Sequence, residues 1–412
     1  MQSQKTLPFI ARTATTQAMP ASAKTVLRVL GHLQHGHLTV KLPDGGVQHF
    51  GAVQGRVNGP AGALEARIDI HSWSVFQAAL KSGDIGFAEA YLAGDWNSPD
   101  LTSLLHLLLL NRNAMETVFY GTWYGRLLYR IKHLLNHNSK ANSKKNIHAH
   151  YDLGNDFYRL WLDPSMNYSS AWFGGNFNQS LRDAQAAKVN RALDQVQLQP
   201  GQRLLEIGCG WGALCEDAEV RRGAKAVGIT LSREQLAFAG ERVPTADVRL
   251  QDYRDITDPA FDAICSIEML EAVGQAYWPG YFQTLHRLLK PGGRACVQTI
   301  VIADPLFDRY IASTDFIQQY IFPGGCLPSP SKFRAAAEQA GLVVEESFSF
   351  GKDYAETLRR WRQAFTSQLP QVQKLGFDER FIRIWTFYLC YCEAAFDGGN
   401  TDVVQYTLRK PL

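Results

Sequence analysis

Leu204-Leu205-Glu206-Ile207-Gly208-Cys209-Gly210-Trp211-Gly212 decides the fold of this chain. Two leucines lead into an acid, and glycines follow at alternate positions. A short apolar run is how a buried parallel strand reads. Glycine after it admits a positive φ and lets the backbone approach a ligand closely. A helix is expected to open near Trp211. Strand, tight turn and helix together form the entry unit of a nucleotide-binding α/β sheet.

The details of the turn narrow the ligand. The dinucleotide fingerprint is GxGxxG, whereas this turn reads ExGxGxG with Glu206 on the strand. A carboxylate there would repel a pyrophosphate. It suits a cationic or ammonium-bearing ligand, which favours S-adenosylmethionine over NAD. A tight turn that binds nothing is the plain alternative. The segments that follow argue against it, because they supply the rest of a half-sheet.

Working outward, Leu204–Gly208 is the first strand and Ala226–Thr230 the second, with a helix over Ser232–Glu241. Val248–Leu250 is the third strand, Phe261–Ser266 the fourth and Ala295–Ile302 the fifth, the last preceded by the turn Leu288-Leu289-Lys290-Pro291-Gly292-Gly293. Strands alternating with helices predict a doubly wound parallel sheet, with ligands at the carboxyl ends of the strands. The expected fold is therefore α/β, a Rossmann-like class I methyltransferase with a smaller α+β domain before it.

The 412 residues are 46% hydrophobic and 20% charged, ordinary values for a globular chain long enough for two domains. A net charge of +3 argues against a dedicated nucleic-acid binder. The seven cysteines are scattered and form no CxxC pair, which predicts reduced thiols, a cytoplasmic setting and no metal site. The first residues lack an unbroken apolar run, so no secretory signal is expected. Leu104–Leu110 is far too short to span a membrane and reads as a core helix.

The domain expectations follow. Residues 1–22 are rich in Ala, Thr and Ser and read as disordered. Residues 23–119 hold strand candidates at Leu38–Leu42 and Ala66–Ile70 and helices at Ser74–Lys81 and Thr102–Leu110. Residues 120–146 carry a helix with an apolar stripe of Tyr124, Leu127, Leu128, Ile131, Leu134 and Leu135, and basic residues on its other faces. Such a helix either lies on an anionic membrane surface or packs between domains. Residues 147–412 form the catalytic domain.

Several segments converge on the donor. Gly208 and Gly210 free the backbone for its methionine end. Thr230 and Leu231 end the second strand on the ribose side, and Gln235 in the next helix can hydrogen-bond there. Gln251 and Asp252 end the third strand near the adenine. Capping for Ser232 and a solvated turn for Asp252 are the structural alternatives. Aromatic segments lie upstream (150–158 and 166–173) and downstream (314–325) of the sheet. They either wall an apolar substrate channel or fill the core.

HYDLGNDFY (150–158), NYSSAWF (167–173), LLEIGCGWG (204–212), GITLSREQ (228–235), LQDYRD (250–255), SIEMLEAVG (266–274) and QYIFPGGCLPS (319–329) occur in one order. In these motifs the chain resembles the cyclopropane-fatty-acyl-phospholipid synthase family and the related mycolic acid cyclopropane synthases. The resemblance implies addition of the methyl carbon of S-adenosylmethionine across a cis double bond of a phospholipid acyl chain. It implies a carbocation that is deprotonated, with bicarbonate as the base. It also implies a protein working on the inner face of a membrane, with a homodimer open. Residue by residue, it places Tyr168 and Ser169 at the methionine end, and Gly208, Gly210, Thr230, Leu231 and Gln235 along the donor. It places Glu271, the backbone of Ile300, and Tyr354 around the bicarbonate.

Two positions depart from that family. Ser170 stands where it has cysteine, and Gln298 where it has histidine. If the backbone amide of residue 170 is what binds, serine changes little. Glutamine donates a hydrogen bond but carries no positive charge, so it holds an anion less strongly than a histidinium does. The leading expectation is a cyclopropane fatty acid formed through that carbocation; the alternative is that methylation survives and the final proton step is altered, giving methylene- or methyl-branched chains. A methyltransferase for another apolar unsaturated acceptor and a silent lipid- or donor-binding relative remain as other readings. A nucleic-acid enzyme is disfavoured.

Overall fold

A computed structural model describes residues 18–51, 64–115 and 153–412. The basic helix expected over 120–146 lies outside the described residues, as do His150, Tyr151 and Asp152 of the first aromatic motif.

Two sheets organise the described residues. The larger has seven strands in the order β10-β11-β9-β8-β5-β6-β7. These are β5 (Arg203–Ile207), β6 (Lys225–Thr230), β7 (Asp247–Leu250), β8 (Phe261–Ile267), β9 (Leu289–Ile302), β10 (Val343–Ser349) and β11 (Thr401–Arg409). β5 to β9 run parallel, whereas β11 pairs antiparallel with both β9 and β10. Strand order reverses at β5 and β8, and ligand crevices in such sheets open at that point. The centre is apolar because helices cover both faces: Leu204, Leu205, Ile207, Ala263, Ile264 and Val297 are buried.

The smaller sheet is built from β1 (His37–Lys41), β2 (Val47–Gly51), β3 (Glu65–Ile70) and β4 (Trp96–Asn97), in the order β2-β1-β3-β4. It does not stand apart from the larger unit. One apolar core runs from Leu38 and Ile68 through the helix Leu101–Leu110 to Trp361, Trp385 and Phe387. Polar bonds cross the same boundary. Arg383 donates to the carbonyls of Tyr91 (2.7 Å) and Trp96 (3.2 Å), and Thr102 to Glu393 (3.3 Å).

Several local expectations shift. The reading of residues 1–22 as disordered fails at its end, because a helix begins at Ala21 and buries Ala23, Val26, Leu27 and Leu30. The helix expected to stop at Lys81 continues to Leu92 across a break at Gly83, whose φ of 62° only glycine takes easily. The fifth strand of the parallel set starts at Leu289, with a register shift opposite Phe261–Ala263 that absorbs the Lys290–Gly293 turn.

Candidate active site

The glycine turn sits where β5 ends. Gly208 and Gly210 have φ of 82° and 53°, and Gly212 at 82° caps the helix Ala213–Glu216. A Cβ on Gly210 would point into open space, whereas one on Gly208 would press on Met269 at 3.0 Å. That space belongs to a cleft of about 140 Å³. Every residue assigned to the donor lines it: Tyr168, Ser169, Glu206, Gly208, Gly210, Thr230, Leu231, Gln235, Gln251 and Asp252. A glycine cradle at one end and buried hydroxyl, amide and carboxylate groups along its length fit a nucleoside joined to an amino acid.

Local bonds fix this lining. Thr230 donates to Gln235 Oε1 at 2.7 Å, which leaves the Gln235 amide hydrogens available. Ser232 caps its helix by accepting from the Gln235 amide, as the structural alternative had it. Asp252 is not a solvated turn residue: it is buried and accepts from Arg254 through both oxygens. Glu206 departs most from expectation. Its carboxylate is buried and accepts from the Cys215 amide (3.1 Å) and thiol (2.9 Å), so it ties the strand to the helix that follows. Burial pushes it up to about 7. It holds the turn as well as lining the cleft.

A second space adjoins the first. It is about 170 Å³ and walled by Ile300, Ile317, Phe322, Leu358, Tyr388 and Phe396, among others. Segment 314–325 thus forms part of a wall, as the channel reading expected. The upstream motif divides. Tyr168 lines both spaces, while Phe157, Tyr158 and Trp161 are core aromatics packed against Trp385 and Trp211. Tyr168, Glu268 and Ala272 are common to the two linings, so the spaces meet there.

Glu268 is the residue that sequence reasoning missed. It follows β8, with a φ of 51° that a non-glycine residue rarely adopts and that costs on the order of 1 kcal/mol or more. Strain of this kind persists only where the surroundings enforce it, and here the cage is plain. Glu268 Oε1 accepts from the Ser170 amide at 2.8 Å and from Gln298 Nε2 at 2.7 Å. Oε2 accepts from the Tyr354 hydroxyl at 2.7 Å. Ser170 Oγ turns away to its neighbour's carbonyl, so the backbone amide is what position 170 contributes.

The five residues assigned to one bicarbonate pocket therefore fall into two groups. Ser170, Gln298 and Tyr354 surround the carboxylate of Glu268. Glu271 Oε1 instead accepts from the backbone amide of Ile300 and from Thr299 Oγ1 (3.0 Å), and its Oε2 is buried without a partner. The donors expected around a bicarbonate thus bond a protein carboxylate in this structure.

The two acids differ in charge for a physical reason. Burial raises both, but Glu268 has three donors and the Lys188 ammonium to hold its anion. Glu271 has burial and the Glu268 charge against it and is pushed up to about 8. Burial and the neighbouring charge thus favour the proton on Glu271, and the three donors favour the anion on Glu268. Lys188 is fully buried below them, donates to Ser169 Oγ at 2.6 Å, and is lowered by desolvation to about 8.

Comparison with known proteins gives the family. The model of the family described as mycolic acid cyclopropane synthetase matches residues 138–406. The chain belongs to that family. It is 38% identical to tuberculostearic acid methyltransferase of Mycobacterium tuberculosis over 80% of this chain and 79% of that one. It is 36% identical to cyclopropane-fatty-acyl-phospholipid synthase of Escherichia coli over 84% of this chain and 88% of that one. Among solved structures, a mycolic acid cyclopropane synthase complexed with SAH and CTAB superposes with a TM-score of 0.61 at 34% identity, covering 65% and 98% of the two chains. The fold is that of a class I S-adenosylmethionine-dependent methyltransferase, and the chain is an enzyme of the cyclopropane-synthase-like group.

Proposed function

We propose that this enzyme methylates a cis double bond of an unsaturated phospholipid acyl chain and that Glu268, not bicarbonate, removes the proton that ends the reaction. S-adenosylmethionine, bound in the glycine-lined cleft, supplies an electrophilic methyl group. The observation that carries the reading is the caged carboxylate of Glu268 at the boundary of that cleft and an apolar cavity.

The residues divide the work. The cavity walled by Ile317, Phe322, Leu358 and Phe396 takes an alkyl chain and excludes water, which would otherwise trap a cation as an alcohol. Tyr168, at the junction and bonded through its hydroxyl to that of Tyr388 (2.8 Å), offers an aromatic face to positive charge. An alkene needs no base before it attacks. A base is needed only afterwards, and Glu268 is an anion already in place.

The same cage bears on the product. Bicarbonate has three oxygens, so it can spend two on a cage and turn the third to a substrate. Glu268 has two, and both accept from the cage. The third oxygen's place is taken by the side chain's own methylene stem. The base is thus tied to one position, which favours loss of a proton other than the one whose removal closes a ring. The favoured product is a methyl-branched alkene, formed by loss of a chain proton beside the cation, or a methylene-branched chain, formed when a 1,2-hydride shift first carries the cation to the methylated carbon and a methyl proton is then lost. Cyclopropane formation is the second reading, supported by the presence of Glu271, Tyr354 and the Ile300 amide at the site.

Among the described residues no helix is long and apolar enough to cross a membrane. The acyl chain would be drawn from a bilayer surface, with the protein bound peripherally. The test is to express the enzyme with methyl-labelled methionine in a host lacking its own cyclopropane synthase. The three products are isomers, so mass alone does not separate them. Mild hydrogenation does: branched alkenes take up hydrogen and a cyclopropane does not. Labelled branched chains support the proposal; a labelled cyclopropane overturns its product, and unlabelled acyl chains overturn the reaction.

A further inference from the structure

Gln298 can hold Glu268 as an anion only while its nitrogen, not its oxygen, faces the carboxylate. The two ends of a primary amide are nearly the same shape, so something must choose between them. Gln298 lies on β9, and its cross-strand partner on β11 is Gln405. Gln405 Nε2 donates to Gln298 Oε1 at 3.0 Å, and both side chains are buried. Gln405 is itself held at both ends. Its Oε1 accepts from Arg191 Nη1 at 2.7 Å, and its Nε2 also donates to the carbonyl of Lys188 at 3.3 Å. Arg191 pairs with Glu346 (2.6 Å) and lies over the Phe348 ring (3.8 Å).

The chemistry of the ends sets the direction of the whole chain. Arginine only donates and a carbonyl only accepts. Turning Gln405 over would set donor against donor at Arg191 and acceptor against acceptor at Lys188. With Gln405 fixed, turning Gln298 over would set its nitrogen against the Gln405 nitrogen and its oxygen against the Glu268 carboxylate. One arrangement satisfies every group.

The geometry points to Arg191 and Gln405 as positioning residues that act through Gln298 to keep Glu268 a charged base. This rests on the reading of Glu268 as the base. Neither residue lines the donor cleft or the apolar cavity. The charged and titratable groups that face Glu268 are Lys188 on the helix Leu181–Gln195, Glu271 in the turn after β8, and Tyr354 on the helix Gly351–Ser367. A variant at position 405 changes none of these three side chains and touches them only through the 3.3 Å bond to the Lys188 carbonyl.

The test is the pH dependence of turnover, with full-length protein, S-adenosylmethionine and vesicles of unsaturated phospholipid. In Gln405→Glu the new carboxylate still accepts from Arg191 but cannot donate. Gln298 then turns its nitrogen outward and its oxygen to Glu268. The acid limb of the profile should move up by about one pH unit, the scale of one lost bond to a charged group. The KM for vesicles should stay. Gln405→Leu adds no charge and leaves Gln298 Oε1 buried without its donor, which weakens the amide as a donor to Glu268, so it should move the limb the same way but by less. Thr407→Val, which breaks the nearby part-buried bond to Gln195 (2.9 Å) without touching the chain of amides, should not move it.

A folded Gln405→Glu and Gln405→Leu pair with unmoved limbs overturns the inference, as does an equal shift in Thr407→Val. Glu268→Gln separates the two failures. If it is inactive while the position-405 variants keep the wild-type profile, only the relay is wrong. If it turns over normally, the reading of Glu268 as the base is wrong.

Discussion

Glu268→Gln removes the base while leaving its cage almost intact. The amide oxygen at the Oε1 position still accepts from Ser170 N and Gln298 Nε2, now at 2.8 and 2.7 Å. At the Oε2 position the amide nitrogen meets the Tyr354 oxygen, also 2.7 Å away, and the donor and acceptor of that bond exchange roles. No bond is lost and a buried charge is removed, so Tm should stay within about 3 °C of wild type. Chemistry should not be spared. Removing a positioned general base typically costs about 10²–10⁴ in rate, or roughly 3–5 kcal/mol in the barrier. The assay is release of S-adenosylhomocysteine in the presence of unsaturated phospholipid vesicles, followed by analysis of the lipid. Glu268→Gly sharpens the result. It relieves the positive φ, leaves the three donors facing an empty space, and should regain turnover when bicarbonate is added. Turnover in Glu268→Gln above a tenth of wild type would refute the reasoning.

Other outcomes follow from the same geometry. Tyr354→Phe deletes one donor to Glu268 and should raise the acid limb of the pH profile by about one unit, with little change in vesicle KM. Glu271 is neutral in the folded protein below about 8 and ionises near 4.5 when unfolded. Its raised value means that stability present at low pH is lost as pH climbs from about 4.5 to about 8. Glu271→Gln should remove that slope, so thermal unfolding would show the variant gaining on wild type between pH 5 and 8. Gly210→Val forces a branched residue to a φ of 53° and fills the open end of the cleft. Equilibrium binding of S-adenosylhomocysteine should fall at least tenfold, and unchanged binding would remove the donor from this cleft.

Much of the site could be read from the chain because it is written locally. The donor residues follow strand ends, and a strand, its turn and the next helix are adjacent in sequence. That is why Gly208, Thr230 and Asp252 all arrive at one cleft. The proton site is different. SIEMLEAVG offers two acids three positions apart, and nothing local says which one the cage embraces. The choice is made by Ser170, Gln298 and Tyr354, which lie 98, 30 and 86 residues from Glu268. A clue existed in Gln298, since a neutral donor in place of a cation suits an anion that the chain itself supplies. Gly83 shows the same limit in the smaller sheet's region: the helix Ser74–Leu92 continues past it only because tertiary packing tolerates a local break.

The chemistry of this site turns on whether the enzyme carries its own base. The most direct measurement is wild-type turnover in carbon-dioxide-free buffer, with bicarbonate then added back. Unchanged rates and an unchanged product are predicted, because the donors that would bind bicarbonate are engaged by Glu268. A rate that collapses without bicarbonate and recovers with it would contradict the account.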